Sequence, residues 1–220
     1  MIRARKTKED AQKTRDAILN GAEQVFLDKG VAQATMADIA DAAGVSSGAV
    51  YGHYPNKIDV CKAMSERMFA LEAMHFIPAG SSAMEALVQT GLYYLNLFCQ
   101  PGTAQSVIAI LYFKCERSPE NTALIRHRDL ITKLAMHYSL RLLRRAVQNK
   151  ELPDTLDLRL SNLYLHTVFD GTYDMLQDVY PDRPQAALPD CERMLRTAVS
   201  SLMHAPYFQR NNEGQAYLAL

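Results

Sequence analysis

The sequence predicts an all-α protein: a three-helix N-terminal unit, a long fourth helix and a larger helical C-terminal domain. Three observations predict it. Apolar residues recur at three- and four-residue spacing along most of the 220 residues. Capping residues and Gly or Pro breaks punctuate those stretches at helix-length intervals. No segment alternates apolar and polar residues as a half-buried strand would.

The first helix is expected from about Asp10 to Asp28, with Ile18, Ala22, Val25 and Phe26 on one face and Lys29-Gly30 ending it. The second runs from about Met36 to Ala43. Thr35 is its N-cap, and Asp38 completes a capping-box pattern. Met36, Ile39, Ala40 and Ala43 form its apolar face, and Gly44 stops it. Ser46 caps a short third helix that reaches Tyr51 or His53. Pro55-Asn56 breaks the chain again. Asn56 can cap a long fourth helix to about Met74, with Val60, Met64, Met68 and Leu71 as its stripe.

A loop at Pro78-Ala79-Gly80-Ser81-Ser82 follows. Further helices are expected at about Ala83–Cys99, Thr103–Cys115, Asn121–Asn149, Asp157–Asp178 and Pro189–His204, each bounded by Pro, Gly or Asp signals. By function, residues 1–57 read as one domain and 58–210 as a second, with 211–220 a flexible tail.

Composition narrows the function classes. Hydrophobic residues make up 48% and charged residues 22%, which argues for a packed globular chain. The N-terminus is basic and polar, without an apolar core or cleavage-like site, so no signal peptide is expected. The most apolar region, Ala86 to Cys115, is broken by Gln100-Pro101-Gly102, so no membrane span is expected and a cytoplasmic protein is predicted. Cys61, Cys99, Cys115 and Cys191 show no Cys-x-x-Cys or Cys/His ligand spacing. They are expected as reduced, apolar thiols with no metal site. His127 and His166 sit in no nucleophile motif and no Gly-rich phosphate loop exists, so neither an enzyme nor a cofactor is expected. Net charge is zero, but Met1 to Arg15 carries six basic residues against two acidic ones. Arg3, Arg5 and Lys6 lead this arm, which can contact phosphates.

Two short helices joined by a tight Gly-containing turn, the second small and polar, make a helix-turn-helix pattern. Here it runs from Thr35 to Tyr51. Ile39 and Ala40 face the core, Ala43 is small where the helices approach, Gly44 can take a positive φ, and Val45 plugs the turn. Ser46 caps the third helix and leaves Ser47, Gly48 and Ala49 at its N-terminal end. The free N–H groups and positive dipole end there suit phosphates and base edges. An alanine-rich helix pair alone is also compatible with plain bundle packing.

The next stretch, Tyr51-Gly52-His53-Tyr54-Pro55-Asn56-Lys57, weighs against that alternative. From Lys13 to about Lys62 the run resembles the TetR/AcrR family of bacterial repressors. Arg5-Lys6-Thr7-Lys8-Glu9 and Ile110 to Glu116 look like the subgroup that represses multidrug efflux pumps. The resemblance implies a homodimer on a palindromic double-stranded DNA operator, controlling an efflux transporter. It implies phosphate contacts from Thr35, Tyr51, His53 and Lys57, and places Ser47, Gly48 and Ala49 in the major groove. Without the motif, Tyr51 would read as a core aromatic and His53 as a surface or core histidine. Two positions depart from the subgroup: Ser47 stands where arginine is frequent, and Gly52 where tryptophan is frequent. Losing that arginine removes the commonest bidentate reader of guanine, so base choice rests more on hydroxyls, DNA shape and the basic arm.

The C-terminal helices are rich in aromatics, among them Phe98, Phe113, Phe169 and Tyr173. Most such residues are core. Glu116 and Asp170 are acids at or inside apolar helices, which is costly without a partner. Gly171 beside Asp170 permits close approach of a ligand or helix. The resemblance implies that Asp170 and Glu116 line an effector cavity. Glu116 reads equally as a surface residue paired with Arg117. Such a cavity would take small amphipathic effectors, cationic ones included. The resemblance also implies that the last two helices form the dimer interface. Their apolar faces include Leu195, Val199, Leu202 and Met203.

Two other readings stand beside the ligand-released repressor. One keeps DNA binding but places a protein partner in control. The other is a helical small-molecule binder or enzyme without DNA function.

Overall fold

A computed structural model describes residues 8–72, 82–180 and 184–209. Arg3, Arg5 and Lys6, the Pro78–Ser81 part of the expected loop and the 211–220 tail lie outside the described residues. Among the described residues the chain forms nine α-helices: α1 Lys8–Gln33, α2 Met36–Ala42, α3 Ser47–His53, α4 Lys57–Glu72, α5 Ala83–Cys99, α6 Thr103–Phe113, α7 Thr122–Gln148, α8 Leu158–Val179 and α9 Leu188–Ser201. No helix among them is long and apolar enough to cross a membrane.

The helices divide into two compact units. Residues 1–76 with 101–131 form the first, and 77–100 with 132–220 the second. In the first unit, α1 to α4 pack with α6 and the start of α7. The expected stripes are its core: Ile18, Ala22, Val25 and Phe26 of α1, Met36, Ile39 and Ala40 of α2, and Val60, Met64 and Met68 of α4 are buried. Gly30 breaks α1 at φ 73, ψ 165, where the sequence places its end, and the chain adds a last helical turn to Gln33.

In the second unit, α5, the rest of α7, α8 and α9 enclose a core of Ala83, Ala86, Leu87, Leu142, Leu143, Ala146, Val199 and Leu202. Glu151 fastens the start of α5. Its carboxylate accepts the N–H groups of Ala83 at 3.0 Å and Met84 at 2.9 Å. Burial raises the Glu151 pKa, but these bonds outweigh it and hold the group below its ordinary value. The expected outward apolar face of α9 needs correction. Leu195, Val199 and Leu202 are buried within this unit, and only Met203 of the four is exposed. The large apolar residues that α8 and α9 turn outward are Leu160, Leu163, Val179 and Met194.

The four cysteines are free and buried, as small apolar residues would be. Burial pushes the Cys61 thiol up and lifts Cys99 to about 11, so neither is a ready thiolate.

Candidate functional site

The helix-turn-helix is built by local signals. The Thr35 hydroxyl accepts the Asp38 N–H at 3.1 Å, and the Asp38 carboxylate accepts the Thr35 N–H at 3.0 Å, a reciprocal capping box. Lys29 adds a 2.7 Å ion pair to the same carboxylate. Hydrogen bonds from Lys29 and Thr35 hold the Asp38 pKa at about 2. After α2, Gly44 takes φ 64, which only glycine adopts without strain. The Val45 N–H then donates to Ala40 O at 3.0 Å and closes the turn. Val45 is half-buried.

Ser46 caps α3 by accepting the Ala49 N–H at 3.2 Å. Only Val50 of α3 is buried. Ser47, Gly48, Tyr51 and Gly52 are exposed, while Ala49 and His53 are half-buried. Tyr51 keeps 57% of its surface in solvent. A tyrosine that served the core would not, so burial does not account for it. No side chain or backbone lies within 4 Å of where a β-carbon on Gly52 would stand. The outer face of α3 is therefore small, polar and unobstructed within its unit, the shape a groove reader needs.

Two residues the sequence did not single out hold this pair of helices to α1. A β-carbon on Gly21 would meet the backbone of Ala42 and Ala43 at 3.0 Å or less, so α1 and the end of α2 touch at their main chains. Arg15 donates from Nε to the buried Tyr54 hydroxyl at 3.1 Å, and its guanidinium lies 5.7 Å from the ring centre. Glycine inside a helix and arginine in a basic arm carry no sign of long-range contact, so only the fold reveals them.

Lys57 also differs from its expected setting. Its side chain is 17% exposed. The ammonium donates to Ala32 O at 2.7 Å and Ala34 O at 3.1 Å, and Glu120 lies 3.6 Å away.

In the second unit, Phe98 and Tyr173 are buried against each other edge to face at 6.0 Å, and Tyr94 extends the cluster at 5.6 Å from Phe98. Phe169 is half-buried near Gly91. Asp170 is exposed on α8, with Gly171 and Asp174 beside it. Enough protein crowds its carboxyl that burial, and then the Asp174 charge, raise its pKa above the ordinary value. Phe113 and Glu116 belong to the other unit. Both are exposed, and the Glu116 carbonyl accepts a bond from Asn121 at 2.9 Å. An open depression of about 360 Å³ runs along Lys150 to Asp154 and Met203, and includes none of the expected effector residues.

His166 does meet a serine in space, though in no nucleophile motif: its Nε2 lies 2.9 Å from Ser139 Oγ. The polarity is wrong for a nucleophile. The Asn162 amide donates to Met136 O, which leaves its oxygen to accept the Ser139 hydroxyl at 2.6 Å. Ser139 can then only accept from His166, so the imidazole acts as donor rather than base. Burial also lowers the His166 pKa and so favours the neutral ring. Among the described residues no group of His, Cys, Asp and Glu side chains could hold a metal ion.

The model of the bacterial regulatory proteins, tetR family, matches residues 18–64. The C-terminal region of MAATS-type transcriptional repressors matches residues 83–177. The chain is 30% identical over 213 residues to the probable HTH-type transcriptional regulator ArpR of Pseudomonas putida, spanning 94% of this chain and 99% of that one. The crystal structure of MexZ, a repressor responsible for antibiotic resistance in Pseudomonas aeruginosa, is 46% identical with a TM-score of 0.80, over 91% of this chain and all of that chain. NalD, the secondary repressor of the MexAB-OprM multidrug efflux pump in Pseudomonas aeruginosa, is 26% identical with a TM-score of 0.71, over 89% of this chain. With a helix-turn-helix and a C-terminal region that both match, this chain belongs to the tetR family of transcriptional regulators, a non-enzymatic class.

Proposed function

We propose that this chain represses an operon for a multidrug efflux transporter, binding a palindromic operator as a homodimer and leaving it when a small amphipathic ligand binds. The observation that carries the proposal is the 46% identity to an antibiotic-resistance repressor, which extends over 91% of the chain and so includes its C-terminal helices. NalD, the repressor of an efflux pump, supports the same target class.

On this reading Ser47, Gly48 and Ala49 enter the major groove, while Thr35, Ser46, Tyr51 and His53 position the backbone of the duplex, together with the Arg3, Arg5 and Lys6 arm. The exposed face of α3 supports that assignment. One helix-turn-helix makes few contacts, so a two-fold dimer is required. The outward Leu160, Leu163 and Met194 supply apolar surface for it. The ligand takes its aromatic contacts from Phe98, Phe169 and Tyr173, and Asp170 draws the positive end of an amphipathic cation. Phe113 and Glu116, exposed at the end of α6 and just after it, remain candidates for the same ligand.

The test is transcript measurement after deletion of the gene, with and without an added amphipathic cation. A transporter operon should rise several-fold on deletion, and the cation should raise it only while the gene is present. Transporter transcripts that ignore the deletion would retire efflux control. A rise on deletion with no response to amphipathic compounds would retire the ligand alone.

A further inference from the structure

The α1–α2 corner leaves main-chain oxygens to satisfy. α1 ends at Gln33 and α2 starts at Met36, so the carbonyls of Ala32 and Ala34 have no continuing helix to bond them. Lys57, the first residue of α4, supplies the missing donor. One ammonium spans both carbonyls, at 2.7 and 3.1 Å. A cation is also the charge that the end of a helix favours. The Ala34 carbonyl belongs to the residue just before Thr35, whose hydroxyl caps α2. A second brace comes from the other end of the α6–α7 connection: the Val31 N–H donates to Lys114 O at 3.1 Å.

This arrangement leaves Lys57 poorly placed to hold a phosphate. Its side chain is mostly covered, two of its three N–H groups are committed, and the Glu120 carboxylate at 3.6 Å already offsets its charge. A phosphate brought to the same nitrogen would also meet that carboxylate, and like charges repel.

We infer that Lys57 is a positioning residue for operator binding: it fixes the α1–α2 corner, and through it the pose of Thr35 and α2, instead of contacting DNA. The inference rests on the operator-binding reading above. It makes Lys57 a source of affinity that carries no salt dependence of its own.

Operator binding by fluorescence anisotropy, measured across salt concentrations, separates the two roles. The variants are Lys57→Ala and Lys57→Arg, each shown folded by circular dichroism at the assay temperature. A phosphate contact would tolerate arginine, which binds phosphate at least as well as lysine. A clamp would tolerate it less, because the bulkier, planar guanidinium would have to enter the mostly covered space that the ammonium fills between the two carbonyls. Both variants should bind roughly tenfold or more weakly at every salt concentration. The slope of log affinity against log salt should match wild type. A slope shallower by about 0.9 per protomer for Lys57→Ala, with Lys57→Arg at wild-type affinity, would overturn the inference. So would wild-type affinity in both variants.

Amide hydrogen exchange over residues 31–38 supplies a readout without DNA. Both variants should exchange faster there, and unchanged exchange would overturn the clamp. Failure of the wild-type chain to prefer any operator over random duplex would instead sink the functional reading, with the exchange result still deciding the clamp.

Discussion

A β-carbon on Gly21 would stand 2.7 Å from the backbone nitrogen of Ala43, so α1 and the end of α2 meet main chain to main chain at this pair. Alanine in a helix interior gains about 0.5–1 kcal/mol over glycine. Overpacking against atoms that cannot rotate away costs about 1–3 kcal/mol, which outweighs that gain. Gly21→Ala should therefore lower the unfolding midpoint and weaken operator binding. Gly91→Ala is the control. Its β-carbon would meet the Leu195 side chain at 2.9 Å, and a leucine terminus can turn aside. Thermal unfolding should rank Gly21→Ala well below Gly91→Ala, and equal midpoints would count against the close contact.

The Asp38 carboxylate ties stability to pH. Its pKa falls from 3.8 to about 2, first through the hydrogen bond from Lys29 and then through Thr35. A carboxyl whose folded-state pKa is depressed contributes stability that is full above the unfolded value and lost as pH falls through the folded one. The stability difference between wild type and Asp38→Asn should thus be constant at neutral pH and shrink as pH drops from about 4 to about 2. Denaturant titrations at a series of pH values check this. A difference that persists below pH 2, or disappears well above pH 4, contradicts it.

Local signals were legible and long-range ones were not. Thr35, Gly44, Ser46 and Asn56 set helix boundaries by bonds within four residues, and each stands where the sequence placed it; Asn56 Oδ1 accepts the Asp59 N–H at 3.0 Å. The apolar stripes of α1, α2 and α4 were equally readable, because helical spacing alone decides which residues share a face. Spacing does not say what a face packs against. Leu195, Val199 and Leu202 make a clean stripe on α9, yet they fill the core of their own unit, while Met194 points out. Lys57 reaches carbonyls 23 and 25 residues back, Gly21 meets backbone 21 and 22 residues on, and nothing in their neighbours announces it. His166 finds Ser139 only through the meeting of α7 and α8.

Tyr51 offers a direct probe of the α3 face. Its side chain is 57% exposed, so Tyr51→Phe should leave the unfolding midpoint unchanged. A hydrogen bond to a charged group is worth about 1.5–3 kcal/mol, so losing the hydroxyl should cost on the order of tenfold in operator affinity or more. Wild-type affinity in a titration would remove Tyr51 from the DNA contacts.

Asp170 tests the ligand reading. Asp170→Asn keeps the shape and removes the charge on an exposed stretch of α8, so operator binding should be nearly intact. Calorimetry should show a cationic amphipath losing more affinity than a neutral one of similar size, and operator release by the cation should weaken in step. Equal affinity of the cation for both proteins would leave Asp170 as a surface carboxylate.

Sequence-specific binding to DNA as a symmetric dimer is the claim on which the rest depends. Selection of bound duplexes from a random pool by the full chain tests it most directly. The account predicts enrichment of one two-fold symmetric site, with half-sites about one helical turn apart, roughly 34–36 Å, and affinity that falls steeply with salt. A pool that shows no enrichment over random duplex, or that converges on a single asymmetric half-site, would contradict it.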